Sequence, residues 1–426
     1  MSAPPSLPPA LVTPVPGPRS RELALRLARV ESRNVTCLRP AAPIAWERAA
    51  GSNVWDVDGN RFVDLGSGFG VANTGHAHPR VVEAVREQSG RLLHAMGDVQ
   101  PPRVKLELLE ALVRLYPGGV PARAVLGSSG SDAIEVALET ALLASGQAGV
   151  VAFEGAYHGL SLGALDATWR REFREPFAAR LPGATAFARF GDAGDVMRAA
   201  RRCRRPVGAV IVEPVQGRGG DRIPPDGFLA ELRGVCDDEG WLLIVDEIYT
   251  GFGRTGRLFA CEREGVIPDL LCVGKGLAAG MPLAACIGRA EVMDAWPASE
   301  GEALHTQTFL GHPPSCAAAL ASIGVILDEK LADRAAELGE AALSRLRRGL
   351  AGAAGVVEVR GRGLLLAVEC ETPERAEAAV AGALARGVIA LHSGDDGRVV
   401  SIAPPLTIER EVLETALDLL LEALVA

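Results

Sequence analysis

Lysine is nearly missing from this sequence. Of 44 basic residues only three are lysine: Lys105, Lys275 and Lys330. Arginine does not act as a neutral amine in proteins, so any amine chemistry must use one of these three. Positive charge is not in excess either. The formal net charge is −9 and the pI is near 5.5, which argues against a nucleic-acid or anionic-membrane binder. No run approaches the roughly 18 uncharged apolar residues that a membrane span needs. The start, Met1-Ser2-Ala3-Pro4-Pro5, lacks the basic-then-apolar layout of a secretory leader, so a cytoplasmic location is expected. The eight cysteines, at 37, 203, 236, 261, 272, 286, 316 and 370, include no C-x-x-C pair. That argues against a zinc site or a disulfide framework and for reduced, packed thiols; no metal is expected.

What is present describes a globular chain. A length of 426 residues exceeds one small core and predicts two or more packing units. A hydrophobic fraction of 48% with 23% charge excludes wholesale disorder. Seven prolines within residues 1–18 predict a flexible, Pro-rich tail over 1–19. Ser20–Val30 has helical periodicity, and VWDVDGNRFVDL reads as a hairpin turning at Asp58-Gly59-Asn60. Between about 120 and 290, apolar runs (Arg123–Leu126, Gly149–Phe153, Val207–Val212, Trp241–Val245, Leu270–Val273, Ala284–Gly288) alternate with helical stretches. That pattern predicts an α/β architecture with a mostly parallel sheet covered on both faces. The expected organisation is an N-terminal segment 20–75 that joins a small α+β domain, a large domain 76–315, and a C-terminal small domain 316–426.

In an open parallel sheet, ligands bind beyond the carboxyl ends of the strands. After Leu126 comes Gly127-Ser128-Ser129-Gly130-Ser131-Asp132, which can cradle a phosphate at a helix N-terminus or serve as a plain helix cap. After Val245 come Asp246 and Glu247; a strand-end carboxylate needs a partner, whether functional or structural. After Val273 comes Gly274-Lys275-Gly276. Lys105 and Lys330 instead sit in helical stretches among acids, where a salt-bridging role is the default. An anion nest, an acid and a lysine at strand ends suit pyridoxal phosphate: the lysine forms the Schiff base and the acid pairs with the pyridinium nitrogen.

The sequence from about Glu47 to Leu406 resembles the class III aminotransferases, pyridoxal-phosphate enzymes of fold type I in the aspartate aminotransferase superfamily. The resemblance is carried by WDVDGNRFVDL, GHAHPRVVEAV, LGSSGSDAIEVAL, GAYHG, EPVQGRGG, VDEIYTGFGRTG, PDLLCVGKGLAAGMPLAA, HTQTFLGHP and IAPPL, in the family order. It implies a large domain with a mostly parallel seven-stranded sheet flanked by helices, plus a smaller α+β domain from both chain ends. It also implies a role for each matching residue. Lys275 would form the internal aldimine and move the proton between substrate and cofactor, and Asp246 would keep the pyridinium nitrogen protonated. Ser129, Gly130 and Ser131 would hold the phosphate; Tyr157 would stack on one ring face and Ile248 would pack on the other. His158 would shape that turn, and Tyr249 would face the cofactor's phenolic oxygen. Thr308 would reach the phosphate of a neighbouring subunit, which implies a homodimer with shared active sites. Glu213 and Phe69 are expected in the substrate pocket.

One departure bears on specificity. Many family members carry an arginine three residues before the PPL-type segment, where it clamps the substrate α-carboxylate; here that residue is Ser401. Glu213 is then expected to lose its partner and to favour an ω-amine over small α-amino acids, with Arg254 or Arg398 as substitute carboxylate anchors. The expected activity is ping-pong transfer of an amino group from an amine or amino acid to an oxo acid or aldehyde, both small molecules. An amino-acid racemase or aminomutase on the same scaffold is the alternative. A catalytically silent module would not need both Lys275 and Asp246, and GSSGSD does not supply a dinucleotide-binding glycine fingerprint.

Overall fold

Residues 3–36 and 43–426 are described by the structure, a computed structural model. Seven strands form the central sheet. Their order across it is Ala122–Gly127, Ala284–Arg289, Leu270–Val273, Leu242–Asp246, Val207–Val212, Gly149–Phe153 and Thr185–Ala188. All run parallel except Ala284–Arg289, which is antiparallel to both neighbours. Both faces are buried, which is why the strands read as continuous apolar runs rather than as alternation. Ala209, Ile211, Ile244 and Cys272 pack with Ala133, Ile134 and Ala137 of helix Gly130–Ser145. The intervening Val210, Val212, Leu243, Val245 and Val273 join Leu229, Leu232 and Cys236 of helix Phe228–Glu239 on the other side. Each such aliphatic side chain contributes about 1.5–3 kcal/mol by leaving water.

The seventh strand, Thr185–Ala188, produced no apolar run. It lies at the sheet edge with only alternate residues buried, so its sequence mixes exposed and buried positions. Two smaller sheets complete the fold. One joins Trp46–Ala50, Asn53–Asp56 and Arg61–Asp64 to Val388–Ile389, the last pair parallel. The other orders Val356–Arg362, Leu365–Cys370, Val399–Ile402 and Leu391–Ser393. The expected hairpin turn is present: Asp56 Oδ1 accepts the N–H groups of Asp58 and Asn60.

The expectation of a flexible tail is corrected for residues 3–17. The Asn53 carboxamide accepts from Leu7 N at 2.6 Å and donates to Leu7 O at 2.8 Å. Asn60 Oδ1 accepts from both Val12 N and Thr13 N, and Ala10 pairs with Arg61 as an isolated bridge. Proline removes some of the segment's own N–H donors, and two buried asparagines of the hairpin capture those of Leu7, Val12 and Thr13. Cys37 lies outside the described residues; the other seven cysteines are free thiols. No helix among the described residues is long and apolar enough to cross a membrane, and no group of metal-ligating side chains occurs among them.

Candidate active site

Adjacent strand ends bring the lysine and the acid together. Leu270–Val273 pairs with Leu242–Asp246 in a register that sets Cys272 beside Asp246, and Lys275 follows two residues beyond its strand. Lys275 has a left-handed backbone, φ +42°, a conformation that non-glycine residues adopt at a cost and that clusters at functional sites. Its ammonium lies 4.4 Å from the centroid of the Tyr249 ring. Burial pulls the Lys275 pKa below the usual lysine value, against the attraction of Asp246 and Glu213 and together with the repulsion of Arg218. The other two lysines differ. Lys105 Nζ donates to the Gly97 carbonyl at 2.5 Å, while Lys330 is exposed before helix Leu331–Gly349.

Asp246 is 4% exposed and fixed at both oxygens: Oδ2 lies 2.7 Å from His158 Nδ1, and Oδ1 accepts from Ile248 N at 3.0 Å. His158 is itself held, its N–H donating to Thr168 Oγ1, and its Nε2 is buried without a hydrogen-bond partner. Glu213 Oε1 accepts from Tyr157 N at 2.9 Å and Oε2 from Gly217 N at 3.1 Å. The expectation that Glu213 stands without a partner is therefore corrected: two backbone amides occupy it. Burial and the neighbouring Asp246 still push its pKa up to about 7, with His158 opposing.

The segment before helix Gly130–Ser145 has anion-binding geometry. Ser129 caps the helix in a reciprocal box with Asp132, and the first-turn N–H groups of Gly130 and Ser131 have no intrahelical acceptor. Ser131 Oγ accepts from Leu160 N and Ser161 N, which ties this turn to the Tyr157–Ser161 loop. The approach is close. A Cβ on Gly159 would stand 1.9 Å from Ser131 Oγ, and one on Gly130 would stand 2.9 Å from Ile248 Cδ1. Tyr157 meets Phe173 edge-on at 5.8 Å. Thr308 is exposed on this chain, in a segment whose Gln307 accepts from Ser128 Oγ at 2.5 Å.

The candidate substrate residues scatter. Phe69 is 60% exposed with φ +67°, and the next residue, Gly70, packs on Tyr249, whose Cε2 would be 2.3 Å from a Cβ there. Arg254 is corrected as a carboxylate anchor. It is fully buried and donates to Leu364 O, Pro404 O, Ser67 Oγ and Asn73 Oδ1, so it clamps loops to one another, and burial lowers its pKa to about 10. Arg398 is corrected too: both Nε and Nη2 are taken by Asp396, two residues away in the same exposed turn. Ser401 is buried on strand Val399–Ile402, and its hydroxyl favours the ionised forms of Asp221 and of Tyr249. The Tyr249 ring lies beside the lysine. Asp221 also accepts from Ser393 Oγ at 3.2 Å, and burial raises its pKa to about 7.

Sequence reasoning passed over Asp221, Ser393 and Arg218. Arg218 stands within the quoted EPVQGRGG segment, and its guanidinium carbon lies 5.0 Å from the Tyr157 ring centroid. An arginine between glycines carries no periodic or spacing signal; only the fold shows what it faces.

A strand-end lysine beside a buried aspartate, with a helix N-terminus opposite, is the arrangement of a fold type I transferase. The class-III aminotransferase family model matches residues 38–424, and the chain belongs to that family. It is 42% identical to an acetylornithine aminotransferase of Methanopyrus kandleri over 90% of this chain and 94% of the relative. It is 40% identical to a 4-aminobutyrate aminotransferase of Mycobacterium leprae over 96% of each. Among solved structures, ornithine aminotransferase from Toxoplasma gondii, with pyridoxal phosphate partially occupying its active site, superposes with a TM-score of 0.87. It is 31% identical and covers 95% of this chain and 94% of that one. The activity is amino-group transfer; nothing in these relatives supports the racemase or aminomutase alternative.

Proposed function

We propose that this chain is a pyridoxal-phosphate aminotransferase of terminal amines, passing the amino group to an oxo acid in two half-reactions at Lys275. The observation that carries the reading is Lys275 beside Asp246 on neighbouring strand ends. The surroundings suit the cofactor: bare glycine approaches at Gly130 and Gly159, a capped helix N-terminus, and an unpartnered buried His158 Nε2. Bound there, pyridoxal phosphate supplies an aldehyde carbon for the amine and a ring that accepts electrons.

The chain's own residues then divide the work. Ser129, Gly130 and Ser131 bind the phosphate with hydroxyls, amide N–H groups and the helix dipole. Tyr157 and Ile248 enclose the ring. Asp246, oriented by His158 Nδ1, holds a proton at the ring nitrogen. Lys275 Nζ, kept weakly basic by burial, would accept the proton leaving the substrate carbon and return it to the carbon on the other side of the amine nitrogen. Thr308, exposed on the single chain, serves the phosphate site of a second copy, so the working form is a homodimer. The free thiols suit a cytoplasmic setting.

Preference for terminal amines is supported by Ser401, which offers hydroxyl chemistry rather than a cation, and by relatives named for acetylornithine and 4-aminobutyrate. The test measures kcat/KM of the holoenzyme for 4-aminobutyrate and putrescine against alanine and aspartate, with 2-oxoglutarate as acceptor. Terminal amines should win by tenfold or more; a tenfold win for α-amino acids overturns the preference. Borohydride reduction and peptide mapping should place the cofactor on Lys275, and a label on Lys105 or Lys330 sinks the assignment.

A further inference from the structure

An oxo acid carries at least one carboxylate into the pocket, and a carboxylate leaving water needs a cation or several donors. Four other arginines are committed elsewhere. Arg254 is spent on four buried acceptors and Arg398 on Asp396. Arg360 holds Glu358, Glu369 and the Gly220 carbonyl. Arg170 donates to the carbonyls of Arg218 and Gly394 and lies 3.9 Å from Asp395.

Arg218 stands apart from these. Its side chain is exposed and forms no ion pair among the described residues. Its backbone is nevertheless fixed, the carbonyl accepting from Gly394 N at 3.1 Å and from Arg170 Nη2 at 2.7 Å. Gly217, just before it, lies against Tyr249: a Cβ there would stand 2.5 Å from Tyr249 Cδ1. That same tyrosine ring lies 4.4 Å from Lys275 Nζ. The Arg218 guanidinium carbon is 5.0 Å from the Tyr157 centroid and 5.8 Å from that of Phe173. A rigid root, the edge-on pair of Tyr157 and Phe173 and an uncommitted planar cation thus meet at the mouth of the lysine pocket.

We propose that Arg218 binds the carboxylate of the oxo-acid substrate, and of the amino acid formed from it, on the Tyr157 side of Lys275. The proposal rests on the aminotransferase reading above. The Tyr157 ring holds the guanidinium by cation–π contact, which leaves N–H groups free for two parallel bonds to a carboxylate. The cation already acts on this pocket, since it opposes protonation of Lys275 and favours ionisation of Tyr157. A bound carboxylate would neutralise that field.

The test uses the holoenzyme with R218Q and R218K. Glutarate, which has neither an amine nor a keto group and cannot react, is titrated calorimetrically. R218Q should weaken glutarate binding at least tenfold, the range expected for loss of charge-assisted hydrogen bonds; R218K should recover part of the loss. In steady state, R218Q should raise the KM for 2-oxoglutarate relative to that for butanal at least tenfold. Equal glutarate affinity in wild type and R218Q, or equal rises in KM for both acceptors, overturns the proposal. A wild-type enzyme that binds glutarate through Arg218 but transfers no amino group overturns the aminotransferase reading instead, so the two failures are separate.

Discussion

Asp221→Asn should make this protein more stable in mild base than the native sequence. Asp221 is 1% exposed, and burial raises its pKa from 3.8 to about 7 despite the favourable Arg360, Ser393 and Ser401. Between those values the folded state holds a proton that the unfolded chain releases. Its stabilising contribution is therefore complete below about pH 3.8 and is lost as pH rises through about 7. A shift of this size corresponds to a ceiling of about 4 kcal/mol at pH 8, and local relaxation and water entry reduce that to an expected 1–3 kcal/mol. Asparagine keeps the shape and tolerates the left-handed φ of +48° at this position. With about 0.9 kcal/mol/K of unfolding entropy for 426 residues, the variant should melt roughly 1–3 °C above wild type at pH 8 and level with it at pH 4.5. The assay is scanning calorimetry of both proteins at the two pH values, at one protein concentration and fully loaded with cofactor. A variant that loses more stability at pH 8 than at pH 4.5 would show that Asp221 is a stabilised anion paired with Arg360, and the reasoning would fail.

Asp246→Asn should lower kcat by two or more orders of magnitude while changing the melting temperature little, because the amide keeps the shape but cannot hold a proton at the ring nitrogen; wild-type kcat in the variant would mean that Asp246 only braces His158. Thr308→Ala should weaken cofactor affinity several-fold with unchanged sedimentation of the dimer, whereas an active monomer at assay concentration contradicts the shared site.

Lys275 and Asp246 were legible because chemistry and position coincide in the sequence. Each follows a continuous apolar run, and a polar group at the end of a buried strand is conspicuous in one dimension. The strands themselves were legible for the same reason, whereas edge strand Thr185–Ala188 has no second buried face and no run to show. The bond between Ser393 and the buried Asp221, and the influence of Ser401 on that carboxylate, were not legible, because the three lie far apart in the chain and each alone is an ordinary polar residue. Arg254 misled for a complementary reason. An arginine in a glycine-rich loop near the site looks available, and only the structure reveals the two backbone carbonyls that consume it. The tail failed through composition: prolines suggest an untethered segment, yet the asparagines that tether it lie more than 40 residues away.

The placement of the lysines has a practical consequence for attaching this protein to things. Lys275 sits inside its pocket and Lys105 is half-buried with its Nζ tied to a carbonyl, which leaves Lys330 as the exposed lysine, at the start of a helix. Reagents that acylate amines, which scatter over the surface of most proteins, would here meet Lys330 first. A support or fluorophore coupled through such chemistry would be held in nearly one orientation, without engineering a tag.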